Sequence, residues 1–158
     1  VAPAKVCIVP ERREEQTTEG GLNVVREGTR IKEAVSALKA KGIVVSLFIE
    51  PEHAVIELSA ALGADFVELH TGAYAHACLK DDPALAKKEL IQLHNAAQEA
   101  HQRNLGVNAG HGLNYSNVEP MVKVPHIQEL NIGHAIVSRA VFIGLSKAVK
   151  EMRALISI

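Results

Sequence analysis

Short apolar runs alternate along this chain with longer segments of helical periodicity. The apolar runs are rich in β-branched residues and occupy residues 5–9, 43–49, 66–70, 105–108 and 129–132. Continuous runs of this length are typical of parallel strands that are covered by helices. A repeated βα order predicts right-handed crossovers within one parallel sheet. We therefore predict a single α/β domain over residues 1–158.

The segments between the predicted strands carry helix start and stop signals. Asp82 is typical of an N-cap and Pro83 of a first helical position, while Gly63 is typical of a helix end. The predicted helices cover residues 26–41, 51–63, 83–103, 117–122 and 136–155. In the last helix, the face that we expect to be buried consists of Val141, Leu145, Ala148 and Met152.

Two architectures fit this order of elements: an open doubly wound sheet and a (β/α)8 TIM barrel. The strand at residues 66–70 favours the barrel, because alternation places Val67 and Leu69 on one face and two polar residues, Glu68 and His70, on the other. Helices would cover the apolar face. The polar face would then point into a closed interior whose active site lies at the carboxyl ends of the strands.

Composition and charge exclude several partners. The net charge is −1 and aromatic residues make up only 3%, so neither nucleic acid nor an anionic membrane surface is an expected partner. No apolar run approaches the roughly 20 residues of a membrane helix. The cysteines, Cys7 and Cys78, lack metal-like spacing. We expect Cys7 to be a free, buried thiol in a protein of the reducing cytoplasm.

Two Gly-His steps follow the last two predicted strands. Gly110-His111-Gly112 ends one run, and Gly133-His134 ends the next. Glycine lets a ligand approach the backbone closely, and histidine supplies an imidazole beside it. The last predicted helix begins just after His134, so its N-terminus is expected to face the same space. In (β/α)8 barrels this is a usual place for phosphate.

Two further residues are candidates with open alternatives. Glu68 lies in the middle of an apolar strand, where it is either a general acid or base or a structural partner of a nearby basic side chain. Thr17 lies in the glycine-rich loop 11–22, which either closes over a substrate or is an ordinary solvated loop.

Three classes of function remain open on the residues alone. The first is an enzyme that acts on phosphorylated substrates. The second is a metal-dependent hydrolase in which Glu68, His70, His111 and His134 bind Zn²⁺. The third is a non-catalytic fragment that binds phosphorylated metabolites.

As an ordered set, six motifs resemble the pyridoxine 5′-phosphate synthase family of vitamin B6 and pyridoxal phosphate biosynthesis. Taken singly, some of the motifs are generic; together they cover the whole chain. They are Val6-Cys7-Ile8-Val9-Pro10-Glu11, Thr17-Thr18-Glu19-Gly20-Gly21-Leu22, Val45-Ser46-Leu47-Phe48-Ile49, Glu68-Leu69-His70-Thr71-Gly72, Val107-Asn108-Ala109-Gly110-His111-Gly112-Leu113 and Glu129-Leu130-Asn131-Ile132-Gly133-His134-Ala135-Ile136.

The resemblance implies a fold, an assembly and a reaction. It implies a (β/α)8 barrel with added helices, a homo-octamer and a cytoplasmic transferase without a metal or organic cofactor. The implied reaction condenses 3-amino-2-oxopropyl phosphate with 1-deoxy-D-xylulose 5-phosphate. Its products are pyridoxine 5′-phosphate, phosphate and water.

The resemblance also implies roles for six residues. Thr17 matches a residue that contacts the deoxyxylulose phosphate. Glu68 matches a carboxylate that stabilises charged intermediates, and His111 matches the general acid/base histidine. The groups that bind the aminoketone phosphate are matched by Gly112, Gly133 and His134.

The motifs match only the last five βα units of the family. The family's first three strands are absent from this sequence, and they carry further acid/base and phosphate-binding residues. Five strands do not close a barrel whose geometry needs eight. We therefore expect a truncated record or chain, and we expect residues 1–158 alone to be inactive.

Overall fold

Five parallel strands form one sheet in which strand order equals sequence order. The structure, a computed structural model, describes residues 2–10 and 20–157. The strands are β1 (Lys5–Ile8), β2 (Val44–Ile49), β3 (Phe66–His70), β4 (Gly106–Gly110) and β5 (Ile127–Asn131). Every neighbouring pair is parallel. The predicted α/β class and parallel sheet are confirmed, and the sequential order does not fit a doubly wound sheet, in which the order reverses at a switch point.

Helices connect the strands and follow the last one. They are α1 (Val24–Lys39), α2 (His53–Ala61), α3 (Gly72–Leu79), α4 (Pro83–Gln102), a 3₁₀ helix (Glu119–Lys123), α5 (His134–Ile143) and α6 (Leu145–Ile156). Asp82 caps α4 as predicted, because its side chain accepts the Leu85 N–H at 2.9 Å. The sequence analysis did not predict α3, because Thr71-Gly72 has the composition of a turn.

The prediction of one long C-terminal helix is wrong. Gly144 has φ +81° and separates α5 from α6. The change of direction also corrects the predicted buried face. Ala148 and Met152 are buried, whereas Val141 and Leu145 are exposed by 79% and 61%.

The apolar core lies between one face of the sheet and the helices. Alternate strand residues such as Leu47, Val67 and Val107 point into it and are almost fully buried. From the helices, Val35 and Leu93 pack against them. Burying an aliphatic side chain of this kind stabilises the fold by roughly 1.5–3 kcal/mol. The helices therefore cover one face of the central strands β2, β3 and β4, and the functional groups lie on the other.

The opposite face is polar and curled. Lys5 on β1 and Glu129 on β5 lie at opposite edges of the sheet, yet Nζ and Oε2 are 3.0 Å apart. In a flat sheet four strand spacings would separate these edges by about 19 Å, which is too far for the two side chains. The curvature brings the polar residues of all five strands around a common axis, consistent with part of a barrel.

The structure corrects the environment of Cys7. Its side chain is exposed on the polar face of β1 rather than buried, because β1 is an edge strand. In the part of the chain that the structure describes, no helix has the length and apolar character needed to cross a membrane.

Candidate functional site

A cavity of about 650 Å³ opens at the carboxyl ends of the strands, on the polar face. Five of the six predicted site residues line it: Glu68, His111, Gly112, Gly133 and His134. The sixth, Thr17, lies outside the described residues. The remaining lining residues are Val9, Phe48, Leu113, Asn114, Asn131, Ile132, Ala135 and Ser138.

His111 occupies a strained backbone position at the end of β4. It has φ +84° and is followed by Gly112 at φ +77°. For a residue with a Cβ, this left-handed conformation costs about 1–2 kcal/mol. Thr71 holds it, because its buried Oγ1 lies 2.7 Å from the Gly110 carbonyl oxygen and 2.6 Å from that of His111. The strand end is therefore fixed in a conformation that the chain alone does not favour.

The His111 imidazole packs against two other rings. His70 meets it edge to face at 4.9 Å between centroids, and Phe48 lies tilted at 6.5 Å. Burial lowers the pKa of His111, the neighbouring His70 and His134 lower it further, and Glu50 opposes them. Burial and the neighbouring imidazoles both disfavour the charged form of the His111 ring. His111 is thus held mainly neutral near pH 7, with one nitrogen able to accept a proton.

Glu50, directly after β2, was missed by sequence reasoning. Its Oε1 lies 2.7 Å from His70 Nδ1 and accepts the Gly21 N–H at 2.8 Å. The hydrogen bond with His70 lowers the pKa of Glu50; burial opposes this, and the Gly21 N–H adds to it. The sequence did contain a signal for Glu50. This residue directly follows a predicted strand, as Thr71 and His111 do, and the carboxyl ends of parallel strands meet at one edge of the sheet.

The N-terminal turn of α5 borders the cavity. Gly133 is the N-cap, His134 is the first helical residue, and no side chain caps the helix. The first N–H groups of a helix have no partner within it and carry partial positive charge. A Cβ on Gly133 would meet no atom within 4 Å, which describes an open backbone surface. This turn is a suitable seat for an anionic group.

Glu68 is nearly buried on the cavity wall. The described residues offer it no Lys, Arg or His partner within salt-bridge distance. Its Oε2 accepts a 3.4 Å hydrogen bond from the Cys7 thiol. Cys7 is exposed as a residue, but neighbouring atoms partly shield its thiol from water, and this shielding and then the Glu68 carboxylate raise the pKa of Cys7 to about 12. Of the two interpretations of Glu68, the structural ion pair is therefore not observed.

The zinc hypothesis is not supported by the arrangement. Over residues 2–10 and 20–157, no three His, Cys, Asp or Glu side chains are grouped to hold a metal ion. His70 Nδ1 is already engaged by Glu50. The rim histidines are thus arranged around a cavity rather than around one point.

Comparison with known proteins gives a consistent result. The family model described as "Pyridoxal phosphate biosynthesis protein PdxJ" matches residues 1–158. The chain is 52% identical over 153 residues to a "Pyridoxine 5'-phosphate synthase" of Synechococcus sp. (strain JA-2-3B'a(2-13)), covering 97% of this chain and 63% of that protein. Proteins of the same name from Opitutus terrae and Magnetococcus marinus are each 50% identical, covering 96% and 97% of this chain.

These relatives are longer than the chain. The alignments cover 63%, 60% and 62% of the three proteins, so the chain spans about three fifths of their length.

Proposed function

The chain belongs to the pyridoxal phosphate biosynthesis protein PdxJ family, and on this premise we propose that the full-length protein is a pyridoxine 5′-phosphate synthase. It would condense 3-amino-2-oxopropyl phosphate with 1-deoxy-D-xylulose 5-phosphate and release phosphate and water. The relatives carry this enzyme's name at about half sequence identity. The observation that carries the proposal is that His111 and His134 line one cavity with the N-terminal turn of α5.

His111 is the proposed general acid/base. Amine attack on a ketone, dehydration, phosphate loss and ring closure all move protons between carbon, nitrogen and oxygen. A neutral imidazole accepts such a proton and returns it in a later step. Because its pKa is lowered by burial and by neighbouring imidazoles, His111 regains its neutral form readily at pH 7. The positive-φ backbone conformation of His111 directs its ring toward the cavity rather than toward the helices.

The phosphate and the charged intermediate have separate proposed partners. The N–H groups at the start of α5, with Gly112, Gly133 and His134, would bind the aminoketone phosphate. Glu68 would stabilise positive charge that develops when the amine and ketone combine, because its carboxylate faces the same cavity without a basic partner among the described residues. Thr17 would contact the deoxyxylulose phosphate.

The curled sheet supports a proposal for the whole domain. We infer that the five strands are part of a single (β/α)8 barrel domain, since the Lys5–Glu129 contact requires barrel-like curvature. By family resemblance we propose a cytoplasmic homo-octamer that needs no metal or organic cofactor. Light scattering of the purified protein tests the oligomeric state, and elemental analysis tests the metal: stoichiometric zinc would contradict the proposal.

The decisive experiment is product formation by the full-length protein from the two substrates. We expect His111→Ala to lower kcat by about 10²- to 10⁴-fold, the usual contribution of a general acid/base. The matched control is His94→Ala, which removes an exposed imidazole from α4. Turnover of His111→Ala at the level of the control would contradict the assigned role.

The same assay tests the isolated chain. We expect purified residues 1–158 to form no product, because the described residues provide five strands and the proposed (β/α)8 barrel closes with eight. Turnover by that polypeptide would show that five strands provide a complete site.

A further inference from the structure

The partly exposed Glu50 and the buried His70 form a pair next to the proposed acid/base residue. The Glu50 carboxylate only accepts hydrogen bonds, so the 2.7 Å contact requires a proton on His70 Nδ1. Glu50 is itself held by the Gly21 N–H. The pair therefore keeps a proton on His70 Nδ1 and fixes the orientation of the ring.

The other nitrogen of His70 has no partner in the part of the chain that the structure describes. His70 is 9% exposed, and its Nε2 is buried without a hydrogen bond among the described residues. Leaving a buried polar atom unpaired costs about 1–3 kcal/mol. Such an atom calls for an explanation beyond folding.

Gly72 shows what this edge of His70 faces. A Cβ on Gly72 would lie 2.5 Å from His70 Nε2 and 3.4 Å from His111 Cδ2. Both rings therefore meet over the same glycine, and the space left by its missing side chain admits the edge-to-face contact at 4.9 Å. Phe48 packs on His70 from a third direction at 5.1 Å.

We propose that Glu50 and His70 are positioning residues that act through His111: Glu50 orients the His70 ring, and the His70 ring holds the His111 imidazole against the cavity. Neither residue needs to touch substrate, since neither lines the cavity. Only the kinetic part of this inference rests on the proposed function. The structural part concerns the state of the His111 ring in the free protein.

The charges around His111 predict changes of its pKa that a simple loss of stability would not produce. The ring faces Glu50 after β2, His70 at the end of β3 and His134 at the start of α5, and Glu68 lines the same cavity. Glu50 raises the His111 pKa, whereas His70 lowers it. Removing the two partners one at a time should therefore move the His111 pKa in opposite directions.

The test uses NMR titration of the full-length protein with isotope-labelled histidine. Glu50→Gln keeps the size of the side chain and removes its charge, so we expect the His111 pKa to fall. His70→Asn keeps a donor toward Glu50 and removes the ring edge, so we expect the His111 pKa to rise. The matched control is Glu52→Gln, an equal change of charge on an exposed side chain that makes no capping bond.

Kinetics give a second readout of the same variants. We expect kcat to fall by about 10- to 100-fold in Glu50→Gln and His70→Asn, because a poorly placed acid/base group loses rate rather than binding. KM should change by less than about threefold, since the proposed phosphate seat at α5 is intact.

The outcomes separate the two proposals. If wild-type protein forms no pyridoxine 5′-phosphate but the His111 pKa moves in opposite directions, the proposed function fails and the positioning inference stands. If the His111 pKa is the same in both variants and in the control, the inference is wrong. If a variant fails to fold, nuclear Overhauser contacts between the His70 and His111 rings in the wild type decide: their presence supports the inference, and their absence overturns it.

Discussion

The two ends of the same strands treat their polar groups in opposite ways. Toward the amino ends, Lys5 pairs with Glu129 and lies 3.8 Å over the Phe66 ring, and Lys39 pairs with Asp65. At the carboxyl ends, Glu68, His111 and His134 line an open cavity and form no ion pair among the described residues.

The difference separates stability from chemistry within one sheet. Satisfied polar groups contribute to folding and have no capacity left for a ligand. Groups that line a cavity without a protein partner contribute little to folding and remain free to contact a ligand. Substitution at the amino ends should therefore change stability alone, whereas substitution at the carboxyl ends should change activity as well.

Among the substitutions that test this comparison, Gly72→Ala is expected to have the largest effect. Its Cβ in Gly72→Ala would lie 2.5 Å from His70 Nε2, so the ring must move away from His111. We expect kcat to fall by about 10- to 100-fold. We expect the free energy of unfolding to fall by about 1–3 kcal/mol from overpacking. Steady-state kinetics and chemical denaturation measure the two effects.

The matched control for Gly72 is another helical glycine. Gly28 lies within α1, and the new Cβ in Gly28→Ala would make an ordinary 3.9 Å contact with the Leu62 side chain. The substitution should stabilise the protein by about 0.5–1 kcal/mol and leave kcat unchanged. Equal kcat values for the two variants would contradict the role of Gly72.

The next-largest effect is expected at Asp65, which lies at the amino ends of the strands. Burial raises its pKa, but hydrogen bonds from Lys39 and the Val45 N–H outweigh burial and leave the pKa below its usual value. A carboxyl group with a lowered pKa in the folded state stabilises the protein above its unfolded pKa, and this contribution disappears as the pH falls through the folded pKa.

Asp65→Asn should therefore cost about 1 kcal/mol at pH 7, with kcat unchanged. The difference from wild type should begin to shrink near the unfolded pKa of about 3.9 and disappear once the pH falls below the lower folded pKa. Urea denaturation as a function of pH measures it, and a double-mutant cycle with Lys39→Met isolates the pair. A difference that stays constant with pH would contradict the electrostatic explanation.

The smallest effect is expected at Lys5. The Lys5–Glu129 pair is partly exposed, so Lys5→Met should cost about 0.5–1 kcal/mol of stability and nothing in kcat. Lys41→Met, at an exposed lysine without an ion pair among the described residues, is the control. A kcat loss at Lys5 comparable to that of Gly72→Ala would break the proposed separation between the two ends.

Local patterns predicted the regular elements well. The strand at Phe66–His70 has the predicted bounds, and the Asp82-Pro83 start of α4 is confirmed. These succeeded because alternation and capping depend on residues close in sequence. The single C-terminal helix failed at Gly144, since the helical periodicity of residues 136–155 does not reveal a positive φ at one glycine.

The sequence predicted individual residues of the candidate site but not the contacts between them. The Gly-His steps indicated that His111 and His134 end neighbouring strands, and both line the cavity. Glu50 was missed because its partner, His70, lies 20 residues away and meets it only when the strands align. Roles for Glu68, His111 and the phosphate-binding residues remain predictions.

By itself, the order of residues determined the α/β class, the parallel sheet and the family, because these follow from local periodicity and from ordered motifs. Only the tertiary structure decided that the sheet curls until Lys5 reaches Glu129, and that Glu50, His70 and His111 lie in contact. The physical reason is that curvature and side-chain contacts between strands depend on packing among distant residues, and no local pattern encodes that packing.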